Sequence, residues 1–164
     1  MNLRMTLVEI NVEGEAEMSW IDDLISREKT KEAEESKRDD VRLHNAKVIS
    51  ALFPVFWKEV VEQIEKDCLR LKKELPNRIE YHIHTNLTAE GFKLTREASP
   101  PLREILVQPN CDGRCIHISG GHTRETVSIV LKGENALSFT WREKIFTTPQ
   151  ELSRALIEYC ASGD

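Results

Sequence analysis

The sequence predicts a two-layer α+β protein, in which a long N-terminal helical region and a short C-terminal helix pack on one face of an antiparallel meander sheet. Two changes of pattern along the chain carry this prediction. Apolar residues recur at three- and four-residue steps before residue 75, whereas apolar and polar residues alternate over most of residues 78–147. These periods are typical of an amphipathic helix and of strands with one buried face. A helix-capping sequence then introduces residues 149–161.

Length and charge limit the domain organisation and the classes of function. The chain has 164 residues, which suits one core, so we expect a single domain over residues 18–164 after a tail or short strand at residues 1–17. Its 23 Lys and Arg against 28 Asp and Glu give a formal charge of −5. An acidic protein has no long-range field that concentrates it on polyanions, so we expect neither nucleic-acid nor membrane binding. Residues before Met18 lack the pattern of a secretory signal, which predicts a cytoplasmic protein with reduced cysteines.

The helical region, residues 18–75, has two parts of different composition. Ser19 and Asp22 have the spacing of a capping box, so we expect the helix to begin there. Between Arg27 and Arg42, six basic and six acidic residues leave almost no apolar side chain, which predicts an exposed helix. The second part is amphipathic over about Pro54 to Glu74, with the proline in its first turn. Its apolar stripe consists of Phe53, Trp57, Val60, Ile64, Cys68, Leu71 and Leu75.

Six strands are predicted within residues 78–147. They cover about 79–86, 91–97, 103–111, 114–119, 124–132 and 136–142. Asp112-Gly113 is a preferred two-residue hairpin turn, and it sets Val107 opposite Ile118. This register keeps apolar side chains on one face, whereas a slip by one residue would mix the faces. We expect an open sheet with one solvent-exposed face. The alternative is a partly closed barrel that resembles the barrel of pleckstrin-homology domains.

The C-terminal helix is predicted from its first residues. Thr148 has the properties of an N-cap, Pro149 occupies the first helical position, and Glu151 completes a capping box. The apolar side chains that follow share one stripe, so this helix is expected to cover part of the sheet.

Candidate ligand-binding residues lie on the polar face of the predicted sheet. They are His82, His84, Cys115 and His117. Imidazole and thiolate are preferred zinc ligands, but a meander separates the strands that carry these two pairs. Cys111 and Cys115 point to opposite faces in the predicted hairpin, which disfavours a zinc knuckle. We therefore predict no metal and no cofactor, and we keep a small-ligand or metal-binding domain as the alternative function.

The leading prediction is a non-catalytic protein that acts through protein–protein contacts. No short motif for nucleotide binding or catalysis stands out, so an enzyme is the less favoured class. The N-terminal half is rich in large apolar side chains, and we expect an interaction surface around Trp20, Phe56 and Val61. The predicted partner is another protein of unknown identity or a second copy of this chain.

Overall fold

The structure, a computed structural model, describes residues 10–97, 103–110 and 114–162, with side chains from residue 20 onward. The predicted α+β class is confirmed: a long N-terminal helix, an antiparallel sheet and a short C-terminal helix follow each other along the chain. The chain divides into two compact units, Met1–His44 and Asn45–Asp164. Helix α1, Ile10–Glu74, contributes residues to both units.

The start of α1 differs from the sequence prediction. The helix begins at Ile10, ahead of the capping box at Ser19, so residues 10–17 are helical where a tail or short strand was expected. Ile10 and Val12 alternate over too few positions to specify a strand, and the Glu, Ala and Met residues that follow favour a helix. The first nine residues lie outside the described ranges.

The first unit contains the charged part of α1. Every described side chain from residue 20 to residue 44 is exposed, which confirms the prediction of an exposed helix between Arg27 and Arg42. Two ion pairs form within this segment, Lys31 with Glu28 at 2.8 Å and Arg42 with Asp39 at 3.5 Å. Exposed pairs of this kind stabilise a helix by only about 0.2–0.5 kcal/mol each.

The part of α1 in the second unit is amphipathic, as predicted. Its buried side chains are Ile49, Phe53, Val60, Ile64 and Cys68. Pro54, however, lies inside the helix and not at its start. A proline at this position removes the donor that would bond the carbonyl of Ser50. Both residues are exposed, so water can satisfy that carbonyl and the helix continues.

The sheet has seven antiparallel strands, one more than predicted. They are β1 (Ile83–Thr88), β2 (Gly91–Arg96), β3 (Arg103–Pro109), β4 (Cys115–Gly120), β5 (Thr123–Lys132), β6 (Ala136–Trp141) and β7 (Lys144–Phe146). Each strand pairs with its neighbours in the sequence, so β1 and β7 are edges and the sheet is not closed. The barrel alternative is therefore wrong. The first strand also begins later than predicted, because residues 79–81 form a short 3₁₀ helix.

The β6–β7 hairpin explains the missed strand. Arg142 and Glu143 form its turn with φ values of 50° and 64°. Two positive φ values are those of a type I′ turn, which usually carries Asn or Gly. This turn has neither residue, so the sequence gives no hairpin signal at this position.

The core lies between the sheet and the two helices of the second unit. The predicted β3–β4 register is confirmed by the pairs Leu106↔Ser119, Val107↔Ile118, Gln108↔His117 and Pro109↔Ile116. The turn at Asp112-Gly113 lies outside the described residues. Val107, Ile118, Ile129 and Phe139 are buried together, so the predicted apolar layer exists. Phe56 of α1 stacks on Phe139 with ring centroids 4.2 Å apart.

Helix α2, Pro149–Ser162, begins with the predicted capping box. The N–H of Glu151 donates to Thr148 Oγ1 at 3.3 Å, and Glu151 Oε2 accepts from the N–H of Thr148 at 3.2 Å. These bonds satisfy donors that the first turn leaves without helical partners. Three side chains of α2 are buried in the core: Leu152, Leu156 and Cys160. Over the described ranges, no helix has the length and apolarity needed to cross a bilayer.

Candidate functional site

His82 and His84 meet at a shared carboxylate beside the start of β1. His84 Nε2 hydrogen-bonds one oxygen of Glu97, and His82 Nδ1 lies 3.8 Å from the other oxygen. The hydrogen bond from His84 is the main cause that holds the pKa of Glu97 below its usual value. His82 caps the 3₁₀ helix and precedes the strand, and its buried Nε2 has no hydrogen-bond partner among the described residues.

Cys115 and His117 form a second pair on the outer face of β4. The Cys115 Sγ and His117 Nε2 atoms are 3.6 Å apart. Asn110 Nδ2 lies 3.7 Å from the same sulfur, and Thr126 Oγ1 lies 3.4 Å from His117 Nδ1. The pair therefore belongs to a row of weakly bonded polar groups that runs from Asn110, just after β3, across β4 to Thr126 in β5.

The two pairs do not form one site. Strands β2 and β3 lie between β1 and β4, and at roughly 4.8 Å per strand the pairs are on the order of 14 Å apart. Metal ligands must approach one ion to about 2.0–2.3 Å. In the described part of the chain, no group of three or more His, Cys, Asp or Glu side chains is placed to hold a metal ion. The four candidate residues therefore provide two separate polar pairs.

The three residues of the expected interaction surface have different environments. Phe56 is partly buried, and its ring stacks on Phe139 of the core. This packing makes the Phe56 ring part of the core. Val61 is partly buried and lines a cleft in the second unit. Trp20 is 66% exposed in the first unit. It has three large apolar neighbours, Ile21, Leu24 and Ile25, which are 47%, 49% and 45% exposed.

The cleft beside Val61 has a volume of about 990 Å³. Trp57 and Val61 of α1 and Leu87 of β1 give it apolar walls, and His117 reaches it from β4. Trp57 is fixed there because its ring stacks on Phe92 at 5.3 Å. The cleft thus brings the polar end of the sheet next to an apolar part of α1.

Strand β1 has a free edge, which sequence analysis did not identify. The N–H of Glu97 donates to the carbonyl of His82 at 3.0 Å, so residues 82 and 97 form a hydrogen-bonded pair. In an antiparallel ladder such pairs alternate, so residues 84, 86 and 88 also bond to β2. The backbone groups of Ile83, Thr85 and Leu87 consequently point away from β2, but Ile83 is only 3% exposed, so the accessible part of this edge lies at Thr85 and Leu87. Within the described residues they have no backbone partner. Finding this edge requires the strand order, which the sequence does not give directly.

A polar cluster at the other end of the sheet also escaped sequence analysis. Arg142 Nε donates to Glu125 Oε2 at 2.8 Å, and a second nitrogen of the same guanidinium bonds Glu125 Oε1. Trp141 Nε1 donates to Glu125 as well, and the Arg142 guanidinium lies 4.7 Å from the centre of the Tyr159 ring. The bond from Arg142 is the main cause that lowers the pKa of Glu125. These contacts are suited to fixing the β6–β7 turn.

The comparisons with known proteins assign neither a family nor a function. No protein-family model matches the chain, and no curated protein or solved structure matches it significantly.

Proposed function

We propose that this protein is a non-catalytic binding protein that docks a partner on the first unit. The docking surface, here called the apolar face, consists of Trp20, Ile21, Leu24 and Ile25. The observation that carries the proposal is that all four side chains are 45–66% exposed in a segment where every described side chain is exposed. A helix with an apolar face gains stability only when that face is covered.

The geometry of the apolar face fits a helix of the partner. At about 100° per residue the four side chains cover an arc of about 140°, which matches the stripe of a helix that packs against another helix. Asp22 and Asp23 lie on the two borders of this arc. We therefore expect an amphipathic partner helix with Lys or Arg beside its apolar stripe. Full burial of such a side chain is worth about 1.5–3 kcal/mol, so the half-exposed residues here gain about half of that each.

Two of the four thiols support a role without nucleophilic catalysis. Burial raises the pKa of Cys68 to about 12 and that of Cys160 to about 11. The thiolate is the reactive form, so both cysteines are poor nucleophiles near neutral pH. They act as small apolar groups in the core.

The test compares two exposed positions on the same helical segment. Leu24→Asp places a charge on the apolar face, and Val41→Asp makes a similar change at a residue that is 58% exposed and lies outside that face. The full chain and both variants are immobilised and exposed to extract from the source cells. We expect at least one protein to bind the full chain and Val41→Asp but not Leu24→Asp, and to rebind in purified form with the same pattern. Equal retention of every bound protein by Leu24→Asp contradicts the proposal.

The alternative function, a small-ligand domain, is supported by one observation. His117 lines the cleft while its ring also contacts Cys115, so a ligand in the cleft could use an imidazole and apolar walls together. Calorimetric titration of the full chain with zinc, and of His117→Asn and His84→Asn, tests the metal form of this alternative. Stoichiometric binding that His117→Asn removes would favour it over the proposed docking function. No heat above dilution would remove zinc as the ligand.

A further inference from the structure

Cys115 differs from the other cysteines that the structure describes. Cys68 and Cys160 are buried in the core, whereas Cys115 is only partly buried on β4. All three are free thiols. Small reagents therefore have access to Cys115 in the folded protein, while the other two thiols are enclosed. Cys111 lies outside the described residues.

His117 places a base beside this thiol. Its Nε2 atom lies 3.6 Å from Cys115 Sγ, within the reach of a hydrogen bond to sulfur. On the other side of the ring, Thr126 Oγ1 lies 3.4 Å from Nδ1. A hydroxyl can accept the proton of Nδ1, which leaves the lone pair of Nε2 directed at the thiol. A nucleophile, a base and a group that orients the base are thus neighbours in that order.

Asn110 places a donor on the same sulfur. Its Nδ2 atom donates to Cys115 Sγ at 3.7 Å. The backbone N–H of Asn110 also donates to the carbonyl of Cys115 at 2.8 Å, which holds the side chain beside the strand that carries the thiol. Donors aimed at an atom stabilise the negative charge that develops on it during a reaction. The sulfur therefore has both a proton acceptor and a charge-stabilising donor close to it.

The cleft beside Val61 selects the kind of molecule that comes next to this thiol. His117 and Asn110, whose side chains contact the sulfur, both line the cleft. Its walls are apolar at Trp57, Val61 and Leu87. A volume of about 990 Å³ accommodates a small organic molecule. An apolar molecule in the cleft therefore lies beside the groups that surround the sulfur.

The charges around the cleft disfavour anions. Among the described residues that line it, three are carboxylates, Glu62, Glu65 and Glu90, and one is a lysine, Lys58. Lys58 already pairs with Glu62 at 3.7 Å. The remaining carboxylates repel an anionic reagent, so a neutral one is favoured.

We propose that Cys115 is a site of covalent modification that takes a neutral, apolar α,β-unsaturated carbonyl compound. As the Sγ–carbon bond forms at the β-carbon, the π electrons of the alkene move to the α-carbon and its carbonyl. His117 takes the proton of the thiol and returns it to the α-carbon. The product is a thioether, with no leaving group and no further reactant. One chain takes up one molecule, so this reaction involves no turnover.

The first test follows alkylation of the full chain by acrylamide, a neutral α,β-unsaturated amide, and quantifies each cysteine by mass spectrometry. Trypsin cuts after Arg114, so Cys111 and Cys115 fall on different peptides. At pH 7 we expect Cys115 to react at least about tenfold faster than Cys68 and Cys160, because buried thiols are inert.

His117→Gln removes the base and keeps a polar side chain of similar size. We expect it to slow alkylation of Cys115 at pH 7 by at least about tenfold, since general-base assistance typically contributes roughly 10²–10⁴-fold. Thr126→Val removes only the group that orients the ring, so it should cause a smaller fall. His84→Gln, in the separate polar pair, is the matched control and should leave the rate within about twofold of the parent rate.

Two measurements separate a base from a side chain that only controls access to the thiol. Near pH 10 an ordinary thiol is largely ionised without assistance. The rates of the parent chain and His117→Gln should therefore converge there, whereas an effect on access would persist. Slow alkylation of Cys68 and Cys160 in each variant shows that the core remains folded.

The second test addresses the cleft by comparing acrylamide with N-phenylacrylamide, each rate divided by the rate with a free cysteine peptide. We expect the apolar reagent to be favoured at Cys115 by at least about tenfold, because its ring is buried on the walls of the cleft. Leu87→Asp places a charge at the cleft and should remove most of this preference. Leu69→Asp is the matched control, since Leu69 is 71% exposed and Leu87 is 66% exposed, but only Leu87 lines the cleft.

Three results would overturn this inference. The first is alkylation of Cys115 no faster than that of Cys68 and Cys160, and the second is an equal rate in the parent chain and His117→Gln at pH 7. The third is a preference for the apolar reagent that is absent or that Leu87→Asp leaves unchanged. None of them affects the proposed docking function, because the apolar face lies on the first unit and is tested by partner binding.

Discussion

Two parts of α1 show how one helical sequence can lead to different surfaces. In the second unit, Ile49, Phe53, Val60, Ile64 and Cys68 are buried against the sheet. In the first unit, Trp20 and its neighbours have a similar spacing but remain about half exposed. Helical periodicity is present in both parts, so periodicity predicts which side chains can be covered together. Whether they are covered depends on the presence of a second layer.

The largest expected effect comes from removing apolar volume from the covered part. Ile64 is 1% exposed, so Ile64→Ala leaves a cavity between α1 and the sheet. We expect it to lower the free energy of unfolding by about 3 kcal/mol. Urea denaturation followed by circular dichroism measures this change. A loss below about 1 kcal/mol would mean that the second part of α1 is not packed as described.

The next largest loss of stability is expected from the contact between Glu125 and Arg142, which lies in the second unit. Glu125→Gln removes the charge that Arg142 and Trp141 share, and we expect it to cost about 2 kcal/mol at pH 7. Glu134→Gln, at an exposed turn position, is the matched control and is expected to be neutral within about 0.5 kcal/mol. Equal unfolding midpoints for the two variants would contradict the role assigned to Glu125.

The contact between Glu125 and Arg142 also predicts that the stability of the protein depends on pH. The pKa of Glu125 is lower in the folded protein than its usual value, because Arg142 and Trp141 bond the carboxylate. Its contribution is therefore complete above the pKa of the unfolded chain and is lost as the pH falls through the lower folded value. We expect the stability gap between the parent chain and Glu125→Gln to narrow as the pH falls below about 4. Urea midpoints at pH 7, 5 and 3 measure the gap, and a gap that widens on acidification would contradict this assignment.

A smaller effect is expected at the β6–β7 turn. Glu143 has a φ of 64°, which costs an L-residue about 1–2 kcal/mol, whereas glycine adopts it freely but loses more entropy on folding. Glu143→Gly should therefore stabilise the protein by about 0.5 kcal/mol. A rise of the thermal midpoint by a few degrees is the readout. A fall in the thermal midpoint would indicate that contacts of the Glu143 side chain stabilise the turn by more than its positive φ costs.

The smallest change in stability is expected from the substitution that matches Ile64→Ala in the exposed part of α1. Ile21→Ala is the same substitution in the uncovered part of α1, where the side chain is 47% exposed. Alanine favours the helix slightly, so we expect a change within about 0.5 kcal/mol of zero. Urea denaturation under the conditions used for Ile64→Ala is the measurement. A loss as large as that of Ile64→Ala would show that Ile21 is covered in the free protein.

Sequence patterns predicted the elements that local chemistry specifies. The Thr148–Glu151 capping box, the stripe from Phe53 to Cys68 and the β3–β4 register all depend on residues close together in the chain. The turn at Arg142 was missed because its strain is offset by Glu125, which is distant in sequence. The start of α1 was misplaced because a capping box marks a possible start and does not exclude helix before it.

The candidate site was less predictable, for a physical reason. Strand alternation shows that His82 and His84 share a side, but it does not show that Glu97 lies between them. Nor does it show which strand ends at an edge. The accessible backbone edge at Thr85 and Leu87 follows from the strand order, which is a property of the whole sheet.

The exposure of the first unit is tested most directly by amide hydrogen exchange in the free chain. An uncovered helix opens easily, so we expect amides of residues 20–44 to exchange at least about 100-fold faster than those of residues 56–71. Equal protection in the two segments, in a sample shown to be monomeric, would contradict the claim that the apolar face awaits a partner.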